Sequence, residues 1–539
     1  MTQHPPWFDP NMPAREDCVM PCLIDRYAAQ HPDKEFIRFE DGQRWTWAQA
    51  REIGLRTAAA LQARGVTPGD TVLAWLPNNA SIVRIWLGAN YAGAIFVPIN
   101  QSYRGRLLEH VLNTSRAKVM ICHPQLAERL IDINLTHLTH VIVEGQTADN
   151  VRLAVKVEPD SVLDQPGEPD RAYEPQLWDI QAIIFTSGTT GPSKAVQVTY
   201  LHLFATAQAT YGYINGSDTM MINLPMYHVG GTASFMSAVS VGASISLYDG
   251  FNTREFWNQV RASNASVVSG LIGAMTVFLS KNEPKPDDAD NPLRMVTLMP
   301  INADTVALGK RYGFSHLSGF NMTELSGPLI TNINETVDRS LGKPRVGVQC
   351  RIVDDHDMEV PVGTIGEFIC RSDRMWDQFT GYYGNPEATA QALRNGWFHS
   401  GDLMYRDGDN NYFFVDRKKD SIRRRGENIS SLEVEMEIAS FPAVREVAAY
   451  AVASPAGEDE VMIAVAPKPG DTIDPVALIK YLTPRMAHFM VPRYVRIEAE
   501  LPKTPTNKIQ KSDLRAQGIT ADTWDREAAG MTLKREKLR

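Results

Sequence analysis

The chain has 539 residues, 43% of them hydrophobic and 22% charged, a globular composition that excludes wholesale disorder and fibrous repeats. That length suits several domains, or one large enzyme body with an appendage. With 54 Lys+Arg against 63 Asp+Glu the net charge is -9, which excludes a broad basic coat for nucleic acid.

In chain order, residues 46–63 carry helical apolar spacing and 72–76 read as a buried strand. A helix over 81–93, extended chain at 95–98, a helix over 105–114 and a strand at 118–122 follow. Strand and helix alternate at α/β spacing, which predicts mostly parallel sheets covered by helices. The apolar run 182–185, a helix over 256–262 and strands at 266–269 and 295–298 continue the pattern. From 348 the chain turns to short strands with turns (349–353, 366–371, 412–415), a β-rich subdomain. Charge then crowds into 416–425 and marks a boundary, giving domains 1–416 and 417–539. The second is read as a small mobile α+β unit: helix 431–441, strands 446–452 and 460–467, helix 475–487, strand 494–498.

Cys18, Cys22, Cys122, Cys350 and Cys370 are few and odd in number, which points to a reducing cytoplasm. Cys18 and Cys22 lack a second pair at metal-ligand spacing. The N-terminus has neither a basic n-region nor an apolar h-region, so no secretory signal is expected. Residues 219–248 contain no Asp, Glu, Lys or Arg, but Asn223, Pro225, His228 and paired glycines make them buried core. A spanning helix needs about 20 predominantly apolar residues.

The strongest local signal is Thr186, Ser187, Gly188, Thr189, Thr190 and Gly191, with Lys194 three residues on, directly after an apolar run. Glycines let backbone N–H groups approach anionic oxygens, hydroxyls donate, and the lysine adds charge. The spacing is not that of a Walker A loop, which needs four residues between its glycines and a Lys next to the second.

This loop resembles the phosphate-binding signature of the adenylate-forming (ANL) superfamily, which includes acyl-CoA synthetases, peptide-synthetase adenylation domains and luciferases. Further matches come in the family's order: LPMYHVGG at 224–231, FNMTE at 320–324, GWFHSGD at 396–402, DRKKD at 416–420 followed by GENIS, and LPKTPTNK at 501–508. The FN before Thr323-Glu324 and the run RGENISSLEVE look most like the carnitine/crotonobetaine-CoA ligase branch.

The resemblance implies roles residue by residue. The loop, Thr186 through Gly191 with Lys194, holds the β- and γ-phosphates of ATP. Glu324 is an oxygen ligand for ATP-bound Mg²⁺, and Thr323 bonds a phosphate oxygen. Phe320 stacks on adenine, with Asn321 and Met322 beside it; Asp402 and Arg417 bind the ribose. Lys508 carries adenylation, placing positive charge where it develops in the transition state. His228 gates the acyl pocket from the thiol tunnel, and Asp420 is the hinge. Six of the nine residues 417–425 are Lys or Arg, ordinarily a solvated face. Here Arg423, Arg424, Arg425, Gly426 and Glu427 are read as a landing site for coenzyme A. Three departures stand out: Asn321 and Asn507 replace glycines, and bulky Leu298 and Met299 replace small residues, which changes the shape of the acyl pocket.

The expected activity is ATP-dependent acid–CoA ligation through an acyl-adenylate, with ATP, Mg²⁺ and coenzyme A. Loading a carrier-protein phosphopantetheine in trans, or a non-catalytic nucleotide-binding paralogue, are the alternatives. The acid stays open among aliphatic, carnitine-like, steroid side-chain and aryl carboxylates. Expected partners are these small molecules and a second copy in a homodimer, with no nucleic acid and no transmembrane segment.

Overall fold

The structure, a computed structural model, describes residues 12–145, 153–186, 193–272, 274–417, 421–424, 427–454, 458–502 and 509–533. Fourteen strands build two large sheets. They are β1 (Glu35–Phe39), β2 (Arg44–Thr46), β3 (Thr71–Trp75), β4 (Ile95–Pro98), β5 (Val119–Cys122), β6 (His140–Val143), β7 (Lys156–Pro159), β8 (Ile180–Thr186), β9 (Lys194–Thr199), β10 (Thr219–Ile222), β11 (Ser244–Leu247), β12 (Val267–Ile272), β13 (Met295–Met299) and β14 (Ser315–Leu317). One sheet runs β7-β6-β5-β3-β4-β8-β9, and the other β14-β13-β12-β10-β11-β1-β2. Pairing is parallel except at the two edge pairs, β8–β9 and β1–β2. The central strands are buried along their whole length, which is why they read as unbroken apolar runs.

Helices α1 (Trp47–Gln62), α2 (Ala80–Tyr91), α3 (Gly105–Ser115), α4 (Tyr200–Tyr211) and α5 (Val229–Val241) cover the sheets. Thr46 and Gln49 close a capping box on α1, and Asn79 caps α2. α1, α2, α4 and α5 share one core with side chains of both sheets, so they lie between them. There Trp86 stacks on Phe96 at 5.2 Å and meets Phe235 at 5.0 Å. Gly88 makes the α1–α2 contact possible: a Cβ there would lie 2.4 Å from the Thr57 side chain.

The β-rich expectation holds in a four-stranded antiparallel sheet of Val348–Val353, Gly366–Ser372, Phe398–Arg406 and Tyr412–Arg417. The chain then forms a ribbon, Ser421–Arg424 with Glu427–Ser430, helices α6 (Ser431–Ile438) and α7 (Pro475–Leu482), and a four-stranded mixed sheet. Both helices are shorter than their sequence pattern. α6 ends at Ile438, ahead of Pro442, and α7 stops at Leu482 because Pro484 has no N–H with which to continue the helical ladder. Apolar side chains bury on both faces of this sheet. Val434, Ile438 and Ile479 fill one face, with Leu107 of α3 packed against them; Tyr450, Met462, Leu501 and Leu514 fill the other. Among the described residues no helix is long and apolar enough to cross a membrane.

Candidate active site

Thr186 and Lys194 are direct partners at the open end of the antiparallel β8–β9 pair. The glycine- and hydroxyl-rich segment therefore leaves and re-enters one sheet edge. Ser187, Gly188, Thr189, Thr190 and Gly191 themselves lie outside the described residues.

The Lys194 ammonium sits 4.8 Å from the centre of the Tyr382 ring. Tyr382 is buried, and its hydroxyl donates to Glu324 Oε1 at 2.8 Å. Burial first, and then the Glu324 carboxylate, hold the phenol far above its ordinary pKa, so it stays a donor. Backbone bonds fix the arrangement: Tyr383 N–H donates to the Ala195 carbonyl at 2.8 Å, and Phe379 N–H to the Glu324 carbonyl at 3.1 Å. Glu324 is 5% exposed. Thr323, Met322 and Asn321 are half-buried beside it. Asn321 Oδ1 accepts the Gly327 N–H at 2.8 Å and closes the turn. Phe320 meets Phe368 edge-on at 5.4 Å.

Asp402 lies within the strand Phe398–Arg406. It is fully buried, and in register it faces the backbone of Arg417. Gly401 supplies the local bend with φ +71°, a conformation a side chain would strain, while its N–H donates to Glu367 Oε1 at 3.1 Å.

His228 occupies the N-cap position of α5, and its Nε2 lies 3.1 Å from Glu427 Oε2 on the ribbon after 421. The backbone before it is braced by a residue the sequence reading passed over. Asn78 donates to the Leu224 and Tyr248 carbonyls at 2.9 and 3.0 Å and accepts the Met226 N–H at 2.9 Å. Leu298 is buried in a core with Tyr312 and Phe314, and Met299, next to it, is half-buried.

Arg424 departs from its expected place in a basic landing site. Its guanidinium is 3% exposed, 2.6 Å from Glu460, and donates to the Phe489 carbonyl at 2.9 Å. It is an internal strut. Arg423 beside it is exposed, and its N–H donates to Asp459 at 3.0 Å. Arg425, Gly426, Asp420 and Lys508 lie outside the described residues, as does the Arg417 side chain. The residues flanking 503–508, Leu501 and Ile509, pack on the sheet face opposite the one that meets Leu107. Tyr382 also escaped the sequence reading; its only signal was an aromatic between two strands of the β-rich sheet, too common to single out.

Two mostly parallel seven-stranded sheets with helices packed between them, followed by a C-terminal α+β unit, frame this site. The chain belongs to the AMP-binding enzyme family: that family's model matches residues 24–383, and the AMP-binding enzyme C-terminal domain matches 433–508. It is 29% identical over 513 residues to a crotonobetaine/carnitine–CoA ligase of Salmonella paratyphi A, covering 92% of this chain and 98% of that one. It is 29% identical over 505 residues to a probable CoA ligase of Humulus lupulus, covering 91% and 94%. Among solved structures, the o-succinylbenzoate CoA synthetase of Bacillus subtilis aligns with a TM-score of 0.76 at 21% identity, covering 92% and 98%.

Proposed function

We infer that this chain is an ATP-dependent, AMP-forming acid–CoA ligase. The observation that carries the reading is Lys194 over the ring and Glu324 at the hydroxyl of one buried tyrosine, where the β8–β9 pair meets the glycine- and hydroxyl-rich segment. Joining a carboxylate to ATP brings several anions together, so the site needs fixed positive charge and a metal ligand. In the first step a carboxylate oxygen of the acid attacks the α-phosphorus and pyrophosphate leaves. In the second, the sulfur of coenzyme A attacks the acyl carbon and AMP leaves with the bonding pair.

Thr186 through Gly191 and Lys194 hold the β- and γ-phosphates. Phe320, Asn321 and Met322 border adenine, and Asp402 with Arg417 takes the ribose. Mg²⁺ fits the donor set: it favours one or two carboxylates plus phosphates and water, and Glu324 keeps Oε2 beyond its bond from Tyr382. Bound through ATP, the ion would neutralise the charge of the leaving pyrophosphate. Thr323 bonds a phosphate oxygen, and Lys508 stabilises charge in the first step.

His228 gates the thiol path, with Glu427, Arg423, Arg425 and Gly426 along it. We place the domain boundary at 416/417 and the hinge at Asp420. A rotation is part of this reading because one C-terminal unit cannot present Lys508 to the α-phosphate and also open a thiol path to the same carbonyl. We place the protein in the cytoplasm on its sparse, scattered cysteines.

The test is pyrophosphate release over a panel of aliphatic, carnitine-like, steroid side-chain and aryl acids, with and without coenzyme A. A thioester and AMP are the expected products. Pyrophosphate without thioester would shift the acceptor to a carrier protein, and no pyrophosphate from any acid would end the enzyme reading.

A further inference from the structure

The C-terminal unit meets the rest of the chain through carboxylates. Glu433, in the first turn of α6, accepts both the Ser193 N–H and the Ser193 hydroxyl on Oε1, each at 2.7 Å. Glu437, one turn on, accepts the Arg106 N–H of α3 at 3.1 Å. Ser193 is buried, and its carbonyl lies 2.8 Å from His110 Nε2. Ser193 directly precedes Lys194, so α6 grips the strand start that carries the lysine. The spelling Ser430-Ser431-Leu432-Glu433 is that of a capping box, in which the glutamate turns back to its own helix. The Ser430 half is made, but Glu433 Oε1 is directed across the interface.

We propose that Glu433 is a positioning residue for acyl transfer to coenzyme A: by accepting the two Ser193 donors it seats the C-terminal unit on the phosphate-loop strand, in the orientation that sets Glu427 beside His228. The inference rests on the ligase reading above. Among the described residues, polar contacts at Ser193, Arg106 and His228 join the apolar contact of Leu107 in setting one body against the other, and of the polar ones the Glu433 contact has two donors.

Burying the carboxylate gives the contact a pH signature. Burial pushes the Glu433 carboxyl up to about 7, against the pull of the Ser193 donors. Facing it are Ser193, the Tyr103 phenol and His110 from the N-terminal side, with Arg104 and Arg106; Glu427, Glu437 and Arg485 face it from its own unit. Undocked, the carboxyl returns to the ordinary range. The docked state therefore binds the proton more tightly. The contribution to docking is complete below the ordinary carboxylate range and is lost as pH rises through about 7.

Hydrogen exchange of the α3 amides in the full chain reads docking without turnover, and single-turnover transfer from a synthetic acyl-adenylate reads its consequence. In Glu433→Ala the α3 amides should exchange faster and transfer should slow about tenfold, while ATP–pyrophosphate exchange changes less than about twofold. Glu433→Gln keeps the acceptor without the charge. Its docking should not follow pH, so its transfer rate relative to native should climb from about pH 5 to about pH 7, by at most about tenfold per pH unit, and level off above that. Unchanged α3 exchange in Glu433→Ala, a Gln-to-native ratio flat with pH, or equal loss of both half-reactions would each overturn the proposal. A native enzyme that makes acyl-adenylate but no thioester would end the ligase reading instead. Exchange at α3 would still decide for or against Glu433.

Discussion

Tyr382 donates its hydroxyl to Glu324 across 2.8 Å, from a residue 58 positions further along the chain. The same ring lies 4.8 Å from the Lys194 ammonium and so spaces an ammonium from a carboxylate. Tyr382→Phe keeps the ring and removes the donor. Adenylation, followed by ATP–pyrophosphate exchange, should fall about tenfold, the worth of one hydrogen bond to a charged group. Transfer from a synthetic acyl-adenylate should be unaltered. Unchanged exchange would show that Glu324 does not depend on that bond.

Lys508→Ala should abolish acyl-adenylate formation, with a loss on the order of 10²–10³ or more, and spare thioester formation from synthetic acyl-adenylate. The proposed charge it meets exists only in the first step. Equal loss in both half-reactions would place the lysine elsewhere in the cycle.

Asp402→Ala should weaken ATP binding more than acid binding, because its proposed partners are ribose hydroxyls. Isothermal titration with ATP alone measures this. An unaltered affinity would remove this buried carboxylate from the site and leave it a part of the sheet.

Arg424 and Glu460 form an ion pair whose side chains are 3% and 8% exposed. Removing one partner of such a pair costs about 3–5 kcal/mol. Arg424→Met should therefore lower the thermal stability of the C-terminal unit while leaving the KM for coenzyme A unchanged. The exposed Arg423, changed to Ala, should do the reverse. If Arg424→Met raised that KM without a loss of stability, the basic run would be a landing site after all.

The sheets were legible because parallel strands buried on both faces are written as apolar runs: Ile95–Pro98 was bounded to the residue, and Met295–Met299 nearly so. The charged run was misleading because it hides a strand. In Ser421–Arg424 alternation puts Ile422 and Arg424 on the buried side and Arg423 outside, a period of two that six cations obscure. Spacing could not disclose Tyr382 or the Ser193–Glu433 bond, which spans 240 positions. Such pairs are made by packing, and no local pattern encodes them. Asp402 was found by motif, but its burial follows from its strand, which the turn-like Ser-Gly-Asp concealed.

The C-terminal sheet is covered on both faces by side chains almost all its own. A layer with two private cores does not need its neighbour in order to fold. Among the described residues its link to the rest is a few polar bonds and Leu107, which makes for weak cooperativity between the two parts. Heat should thus unfold the chain in more than one step, and calorimetric and van't Hoff enthalpies should disagree. A single melting temperature would then describe neither part, and a stabilised variant would have to be assigned to the part it stabilises.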